Sequence, residues 1–426
     1  TVSACAFGRT GGLVAAAIAG TSKVVFYERN GQRHRRSDFE AACERIDGLS
    51  WNADGTLLAV RTGNARVLVY SHTNYHWYLK QALVYATDAS PRRAAWDWEH
   101  PLRLVVSHRD GREEATEFSW QVDVSSDGSD TVAVIDGCRV LLTPLRRAVV
   151  PPPMSLDVAE FPGPVNQVLF ARGSSQLFAV LADHSIVVHG VRTPAGPFLG
   201  DGVAPFAVAV GPAGNESDML EVAAIARHAT REGLGTCVMA RWLRPQAHDV
   251  NTDSAWQMGL GGARAPTHLV ASEEGGFWLV SRGDADGDGS TAVHAAFTRT
   301  VADGTGPPRR LPTGGSEVVT MRSCRLSGAD LSGECLVALH RGGLLTAVHV
   351  ESGRIAVLSN ECTSFGTSSA YLAFTTRSHE VRVRSLQVAE TPPRHEVRWP
   401  TALELVGSKE PLSELLTPPK FYRSSA

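Results

Sequence analysis

The segment Asp284–Gly289 has the residue types and spacing of a calcium-binding loop. Aspartates occupy positions 284, 286 and 288, and Gly289 follows them. An EF-hand loop uses alternating oxygen donors, a glycine at the turn and a bidentate glutamate at its twelfth position. The twelfth position here is Ala295. We therefore expect Asp284–Asp288 to be an exposed, metal-free hairpin tip.

Histidine is the next candidate for metal binding or catalysis. His72 and His76 are four residues apart and would share a face only on a helix, whereas Tyr70, Tyr75 and Tyr78 around them favour strand and turn. The sequence contains no His-Glu-x-x-His, no Gly-x-Ser-x-Gly and no phosphate-binding Gly-x4-Gly-Lys-Ser/Thr motif. It therefore predicts no catalytic residue, no metal site, no cofactor and no enzymatic activity.

One local cluster is strongly basic. It consists of Arg29, Arg33, Arg35 and Arg36, with His34 among them. Guanidinium groups this close together can hold phosphates, so these four arginines are candidate RNA contacts. The alternative is a solvated loop, because no aromatic residue interleaves the arginines for base stacking and acidic residues follow at positions 38, 40 and 44. Both interpretations remain open.

The run Asn74–Gln81 is rich in aromatic residues. Tyrosine and tryptophan are favoured at protein interfaces, but they are also ordinary packing residues between sheets. We expect packing for Trp77. Tyr75, Tyr78 and Lys80 remain candidates for a protein interface.

Composition limits the remaining classes of function. The chain has 426 residues, enough for two or more domains, and a net charge of −3, so no global positive field favours nucleic acid or membranes. Seven scattered cysteines without a Cys-x-x-Cys pair favour buried free thiols in a reducing compartment. The sequence has neither a long apolar run nor the pattern of a signal peptide. We expect a cytoplasmic protein without membrane contact.

The elements that would position these residues are short strands. Pairs of apolar segments separated by small polar turns recur along the chain, as in Thr56–Val60 followed by Arg66–Tyr70, and Gln176–Leu181 followed by Ser185–His189. Their spacing approaches the roughly 40 to 45 residues of a WD40 blade. The pattern predicts an all-β chain of WD40-type β-propellers, with about three blades before Pro151 and about five after it.

Three consecutive prolines, Pro151–Pro153, are expected to connect two sheets, because proline cannot donate to a strand ladder. We therefore divide the chain into residues 1–150, the last blades of an incomplete first propeller, and residues 151–390, a second propeller. A loosely ordered tail, residues 391–426, follows. The predicted core of the second propeller contains Val168, Phe170, Leu177, Phe178, Val180, Ile186 and Val188.

Six short segments of unusual sequence follow one another along the chain. They are Phe26–Gly31, Leu49–Asp54, Asn74–Gln81, Val132–Gly137, Val149–Met154 and Pro164–Val168. Together they resemble the largest subunit of the Elongator complex, the IKAP-like family. The clear likeness runs from Val24 to Phe170, and a weaker likeness in strand pattern extends to Val388. The family's full-length proteins have two propellers followed by a helical solenoid, so we expect this chain to be a fragment.

The resemblance implies a non-catalytic scaffold. Such a subunit docks the catalytic and accessory Elongator subunits for modification of wobble uridines in tRNA, and contacts tRNA only through the complex. The catalytic partner resembles a radical enzyme with an iron–sulfur cluster, S-adenosylmethionine and an acetyl donor, none of which this chain should bind. The resemblance implies that the full-length family dimerises through a C-terminal region absent here, and it leaves a nuclear location open beside the cytoplasmic one expected above. The rival functions are a propeller that binds tRNA directly through Arg29–Arg36 and a propeller enzyme.

Overall fold

The structure, a computed structural model, consists almost entirely of strands. It describes residues 1–8, 12–118, 125, 130–171, 176–190, 204–212, 220–230, 233–243, 256–259, 266–273, 276–281, 291–295, 310–315, 317–327, 332–367, 371–378, 380–386 and 406–407. Within these ranges the strands form nine sheets, which follow one another along the chain. The one helix of the described part is the 3-10 turn Arg35–Ser37.

The first four sheets contain most of the region of the clear family likeness, which ends in the first strand of sheet 5. Sheet 1 contains β1 (Val2–Phe7), β2 (Val14–Ile18), β3 (Lys23–Tyr27) and β4 (Phe39–Glu40). Sheet 2 contains β5 (Ile46–Trp51), β6 (Leu57–Thr62), β7 (Arg66–Thr73) and β8 (His76–Val84). Sheet 3 contains β9 (Pro91–Trp96), β10 (Arg103–His108) and β11 (Glu113–Glu117). Sheet 4 contains β12 (Thr131–Asp136), β13 (Arg139–Pro144) and β14 (Asp157–Glu160).

Five further sheets follow. Sheet 5 contains β15 (Val165–Phe170), β16 (Leu177–Leu181) and β17 (Ile186–Val188). Sheet 6 contains β18 (Ala204–Pro212), β19 (Leu220–Thr230), β20 (Gly233–Leu243) and β21 (Trp256–Gly259). Sheet 7 contains β22 (Pro266–Ala271), β23 (Phe277–Ser281), β24 (Thr291–Ala295) and β25 (Arg310–Pro312). Sheet 8 contains β26 (Val318–Leu326), β27 (Gly333–His340), β28 (Leu345–His349) and β29 (Ile355–Ser359). Sheet 9 contains β30 (Cys362–Thr367), β31 (Tyr371–Thr376), β32 (Val381–Ser385) and the parallel strand β33 (Val406–Gly407).

The sheets are arranged as propeller blades. The first strand of one sheet contacts the first strand of the next along two runs, β1–β5–β9 and β12–β15–β18–β22–β26–β30. Strand β8, at the outer edge of sheet 2, contacts both β12 and β15 and so joins the two runs. The expected all-β propeller fold is confirmed.

Sheet 5 is apolar on both faces because it lies between sheets 4 and 6. In sheet 5, Phe178 and Val180 pack against Val208 and Val222 of sheet 6. Leu177 belongs to the cluster on the opposite face, together with residues of sheet 4. Alternate residues of one strand thus face different neighbours, as a period of two requires. The seven residues of the predicted core lie in these two clusters, with Val168 partly buried.

A buried carboxylate connects sheets 7 and 8. Glu334 is 2% exposed and accepts hydrogen bonds from Ser272 Oγ at 2.9 Å, the Glu273 backbone N–H at 2.9 Å and Trp278 Nε1 at 3.1 Å. Ser323 Oγ donates a further bond to it. These four donors make the buried negative charge a specific link between the two blades.

The prediction for the three prolines was wrong. Pro151–Pro153 lies in the connection between β13 and β14, and these two strands pair within sheet 4, with Leu141 opposite Val158. The prolines are tolerated there because the connection contributes no ladder hydrogen bond of its own. The division of the chain near Pro151 stays a prediction.

Two predicted segments lie outside the described residues. They are the acidic loop Asp284–Asp288 and the tail 391–426, except for Val406–Gly407. In the described part of the chain, no helix is long and apolar enough to cross a membrane.

Candidate functional site

The hairpin of β7 and β8 has a tip that exposes an aromatic side chain. Thr73 pairs with His76, so Asn74 and Tyr75 form a two-residue turn, with φ of 52° and 57°. Asparagine tolerates this left-handed conformation, but for a bulky residue such as tyrosine it is uncommon. Tyr75 is 74% exposed. It is the one predicted interface aromatic that lies on the surface.

One face of β8 packs into an aromatic cluster. The Trp77 ring lies 5.1 Å from that of Phe26, 4.8 Å from Phe39 and 5.8 Å from Trp51, measured between centroids. Trp77 Nε1 donates a hydrogen bond to the Ser37 carbonyl at 2.7 Å, so the side chain is both buried and satisfied. The packing role predicted for Trp77 is confirmed.

The other face of β8 contacts sheet 4. His76 Nε2 lies 3.1 Å from Asp136 Oδ2, and Arg139 Nη2 donates to the same oxygen at 2.9 Å. Lys80 Nζ donates to the Ile135 carbonyl at 2.8 Å and lies 4.7 Å from the centroid of the Tyr78 ring. Tyr78 is 1% exposed. Tyr78 and Lys80 therefore contact sheet 4 within the chain, and their role at a partner interface stays a prediction.

Strand β8 has a bulge at Lys80. Val69 pairs with Gln81 and Tyr70 pairs with Leu79, which leaves Lys80 as an extra residue. Such a bulge shifts the alternation by one position, so Ala82 joins Trp77 and Leu79 in the same buried cluster. Burial lowers the pKa of Lys80 to about 8, and the Asp136 carboxylate opposes this effect.

The free edge of β8 is closed by residues from beyond position 130. The Gly137 backbone N–H donates to the Leu79 carbonyl at 2.9 Å. The Ala82 backbone N–H donates to Asn166 Oδ1 at 2.7 Å, while Asn166 Nδ2 donates to the Ala82 carbonyl at 3.1 Å. The Asn166 amide thus takes the place of a neighbouring strand at this edge. We call the contacts of β8 with residues 135–137 and 166 the β8 seam.

Sequence reasoning did not find the role of Asp136 and Asn166. Both stand in segments that carry the family likeness, Val132–Gly137 and Pro164–Val168. That likeness marked them as unusual, but their partners lie on β8, far away in the sequence. The segments that looked like separate motifs are therefore neighbours in space.

The four predicted RNA-contact arginines have different environments. Arg33 forms an ion pair with Asp38 at 2.6 Å, and the Arg29 guanidinium lies 5.3 Å from the Phe7 ring centroid. Arg35 and Arg36 are exposed on the 3-10 turn, and no ion pair involves them in the described part of the chain. The RNA contact stays a prediction, with Arg35 and Arg36 as the residues most available for it.

His72, one of the two histidines considered for metal binding, packs against an aromatic ring. His72 packs against Trp77 at 4.7 Å between centroids, and its pKa is lowered by burial and then by the nearby His34 and His76. Among the described residues, no group of three or more His, Cys, Asp or Glu side chains is arranged to hold a metal ion.

Comparison with known proteins identifies two propeller regions. Residues 6–99 match the family model described as ELP1 first N-terminal beta-propeller, and residues 134–201 match ELP1 N-terminal second beta-propeller. The β8 seam connects these two matched regions, since β8 lies in the first and Asp136 and Asn166 lie in the second.

Curated relatives agree with these models. The chain is 37% identical over 185 residues to Elongator complex protein 1 of Mus musculus, and 35% identical over 163 residues to that of Saccharomyces cerevisiae. The matches cover 39% and 37% of this chain but only 14% and 12% of the two relatives. Among solved structures, the β-propeller domain of Cps50 (Swd1) from Myceliophteria thermophila aligns over 89% of this chain at 12% identity, with a TM-score of 0.24, which is too low to support an argument.

Proposed function

We propose that this chain is a non-catalytic scaffold subunit of the Elongator complex, because residues 6–99 and 134–201 match the two ELP1 propeller models and the curated relatives are named Elongator complex protein 1. It docks the catalytic and accessory subunits and so supports modification of wobble uridines in tRNA. The chemistry belongs to the catalytic partner, and this chain contacts tRNA through the complex. We place the assembly in the cytoplasm, and also in the nucleus, and assign its dimerisation to a C-terminal region of the full-length family.

The observation that carries this proposal is the β8 seam. A scaffold must hold its docking surfaces at fixed positions, and the seam ties the first-propeller region to the second through the contact of His76 with Asp136 and several hydrogen bonds. Backbone groups are involved on both sides, which limits relative movement more than flexible side-chain contacts would. This arrangement supports a rigid platform with loops on its faces, which is the usual role of propellers.

The family match and the topology of sheet 4 bear on where the second propeller part begins. Its family match starts at residue 134, within β12, and sheet 4 includes strands on both sides of the prolines. We therefore propose that sheet 4 belongs to the second part and that the division lies before β12, earlier than Pro151.

Co-purification tests the scaffold function. The chain, tagged and expressed in its own cells, is expected to co-purify with the other Elongator subunits, as scored by mass spectrometry. Asn166→Ala should reduce their recovery because it loosens the seam, whereas Asn64→Ala, at an exposed turn position, should not. Recovery of the tagged chain without any other Elongator subunit would contradict the proposal.

A further inference from the structure

The outer face of sheet 4 carries an open apolar groove. Its volume is about 220 Å³, and its lining includes Val132, Val134, Leu141, Leu145, Val149 and Met154. Val149 is 58% exposed and Met154 is 62% exposed, although both are apolar. Val158, directly opposite Leu141 on β14, extends the exposed apolar surface. We call this feature the sheet 4 groove.

The groove is shaped by a loop held in place by the hairpin of β7 and β8. Asn74 Nδ2 donates a hydrogen bond to the Pro152 carbonyl at 2.7 Å, which connects the hairpin tip to the proline loop at the edge of the groove. Tyr75 follows Asn74 and is exposed next to this contact. Its left-handed backbone costs on the order of 1 kcal/mol. No ring contact of Tyr75 within the described residues offsets that cost.

Two arginines stand in the segment between the groove residues Leu145 and Val149. Arg146 and Arg147 lie between Leu145 and Val149 and are both exposed. Arg146 Nε forms an ion pair with Asp130 Oδ2 at 2.8 Å. Arg147, two residues from both Leu145 and Val149 of the lining, has no ion pair in the described part of the chain, so its positive charge is not neutralised there. Asp157 does not neutralise it from within the groove, because strand alternation turns its side chain to the face opposite that of Val158.

From these features we infer that the sheet 4 groove is a docking site for a short segment of a partner protein. The segment carries one or two aliphatic side chains, which enter the groove, and an adjacent carboxylate, which pairs with Arg147. The ring of Tyr75 packs beside it. This inference rests on the proposed function, because it specifies one surface through which the scaffold holds another subunit.

The size and lining of the groove select this class of ligand. About 220 Å³ is below the roughly 300 to 1,000 Å³ of sites that enclose a small molecule or cofactor, but it accommodates a few aliphatic groups. Single-stranded nucleic acid requires a track of positive charge with aromatic rings, whereas the lining here is aliphatic and proline-rich. An exposed apolar patch with a polar rim is instead typical of a protein-binding surface.

The test uses short overlapping peptides that tile the proteins co-purifying with the chain. They are titrated against the full chain, with fluorescence anisotropy as the readout. We expect the bound peptides to share aliphatic residues next to a carboxylate. Val149→Asp and Met154→Asp should each weaken their binding about tenfold or more, because a charge then meets the aliphatic anchors. Val357→Asp is the matched control, since Val357 is 57% exposed on sheet 8, and it should leave binding unchanged.

Arg147→Glu tests the contribution of the positive charge to binding separately from that of the apolar contacts. It should weaken peptides that contain the carboxylate but leave binding of their glutamine-substituted versions nearly unchanged. Circular dichroism melting of each variant reports whether the fold is intact. If Val149→Asp destabilises the fold, Val149→Ser serves in its place, with a smaller loss of binding expected.

The possible outcomes distinguish this inference from the proposed function. If other Elongator subunits co-purify but no peptide binds, or if bound peptides are insensitive to Val149→Asp and Met154→Asp, the docking site is refuted and the scaffold function stands. If no subunit co-purifies, both fail. If single-stranded oligouridine binds the chain and Val149→Asp weakens that binding, the groove is a nucleic-acid site and the inference is wrong.

Discussion

Asn166→Ala removes the side chain that closes the edge of β8. Two hydrogen bonds are lost, from the Ala82 backbone N–H to Asn166 Oδ1 at 2.7 Å and from Asn166 Nδ2 to the Ala82 carbonyl at 3.1 Å. Ala82 is 1% exposed, so its backbone groups are left without a partner rather than returned to bulk water. An unsatisfied buried group costs about 1–3 kcal/mol. The two groups together should therefore lower the free energy of unfolding by about 2–6 kcal/mol, toward the lower value if water enters the seam.

Native-state hydrogen exchange of the Ala82 amide measures this effect locally. A loss of about 2 kcal/mol corresponds to exchange about thirtyfold faster. Urea denaturation of the same protein reports whether the two propeller regions then unfold in separate transitions, as expected when the contact between them is weakened. Asn64→Ala is the control, because Asn64 is exposed and its substitution should change stability by no more than about 0.5 kcal/mol. The reasoning would be refuted if Asn166→Ala changed the exchange rate of Ala82 no more than Asn64→Ala does.

Three further substitutions probe other parts of the account. Trp77→Ala should lower the free energy of unfolding by about 3–5 kcal/mol in a denaturant titration, because it empties the centre of the aromatic cluster; a loss below about 1 kcal/mol would contradict the packing. Lys80 has a pKa of about 8 in the folded chain against 10.5 when exposed, so the unfolded state binds more protons between these values and the free energy of unfolding rises as pH increases from 8 to 10.5. Lys80→Met should abolish that rise, and identical pH profiles for both proteins would exclude the effect. Glu334→Ala should lower the free energy of unfolding by about 3–5 kcal/mol in the same titration, since four donors lose one acceptor; an unchanged midpoint would mean that the link between sheets 7 and 8 contributes little.

The residues inside the blades could be predicted from the sequence because the pattern of short apolar segments and turns that marks them is local. Leu177, Phe178, Val180 and Ile186 lie in short apolar strands with turns between them, and a strand between two neighbouring blades is apolar on both faces. Trp77 was predictable for a similar reason, since a large ring among other aromatic residues of a strand is most stable when buried.

The seam could not be predicted in this way. Lys80 contacts a carbonyl 55 positions away, and Ala82 pairs with a side chain 84 positions away. The bulge at Lys80 also changes which residues of β8 share a face, so simple alternation assigns the residues after it to the wrong side. Tyr78 and Lys80 were candidates for a protein interface because of their residue types, whereas their contacts with sheet 4 depend on residues more than 50 positions away.

The triple proline illustrates a second limit. Proline disfavours the interior of a sheet, but this fact does not distinguish a loop between two sheets from a long loop within one. Only the pairing of β13 with β14 makes that distinction, and it depends on residues on both sides of the loop.

The scaffold function is tested most directly by the modification state of wobble uridines in tRNA. We expect mass spectrometry of tRNA from cells without this protein to show loss of the Elongator-dependent wobble modification, with other tRNA modifications unchanged. Reintroducing the intact gene should restore it, and the purified chain alone should not modify tRNA. Wobble modification at its normal level in cells that lack the protein would contradict the account.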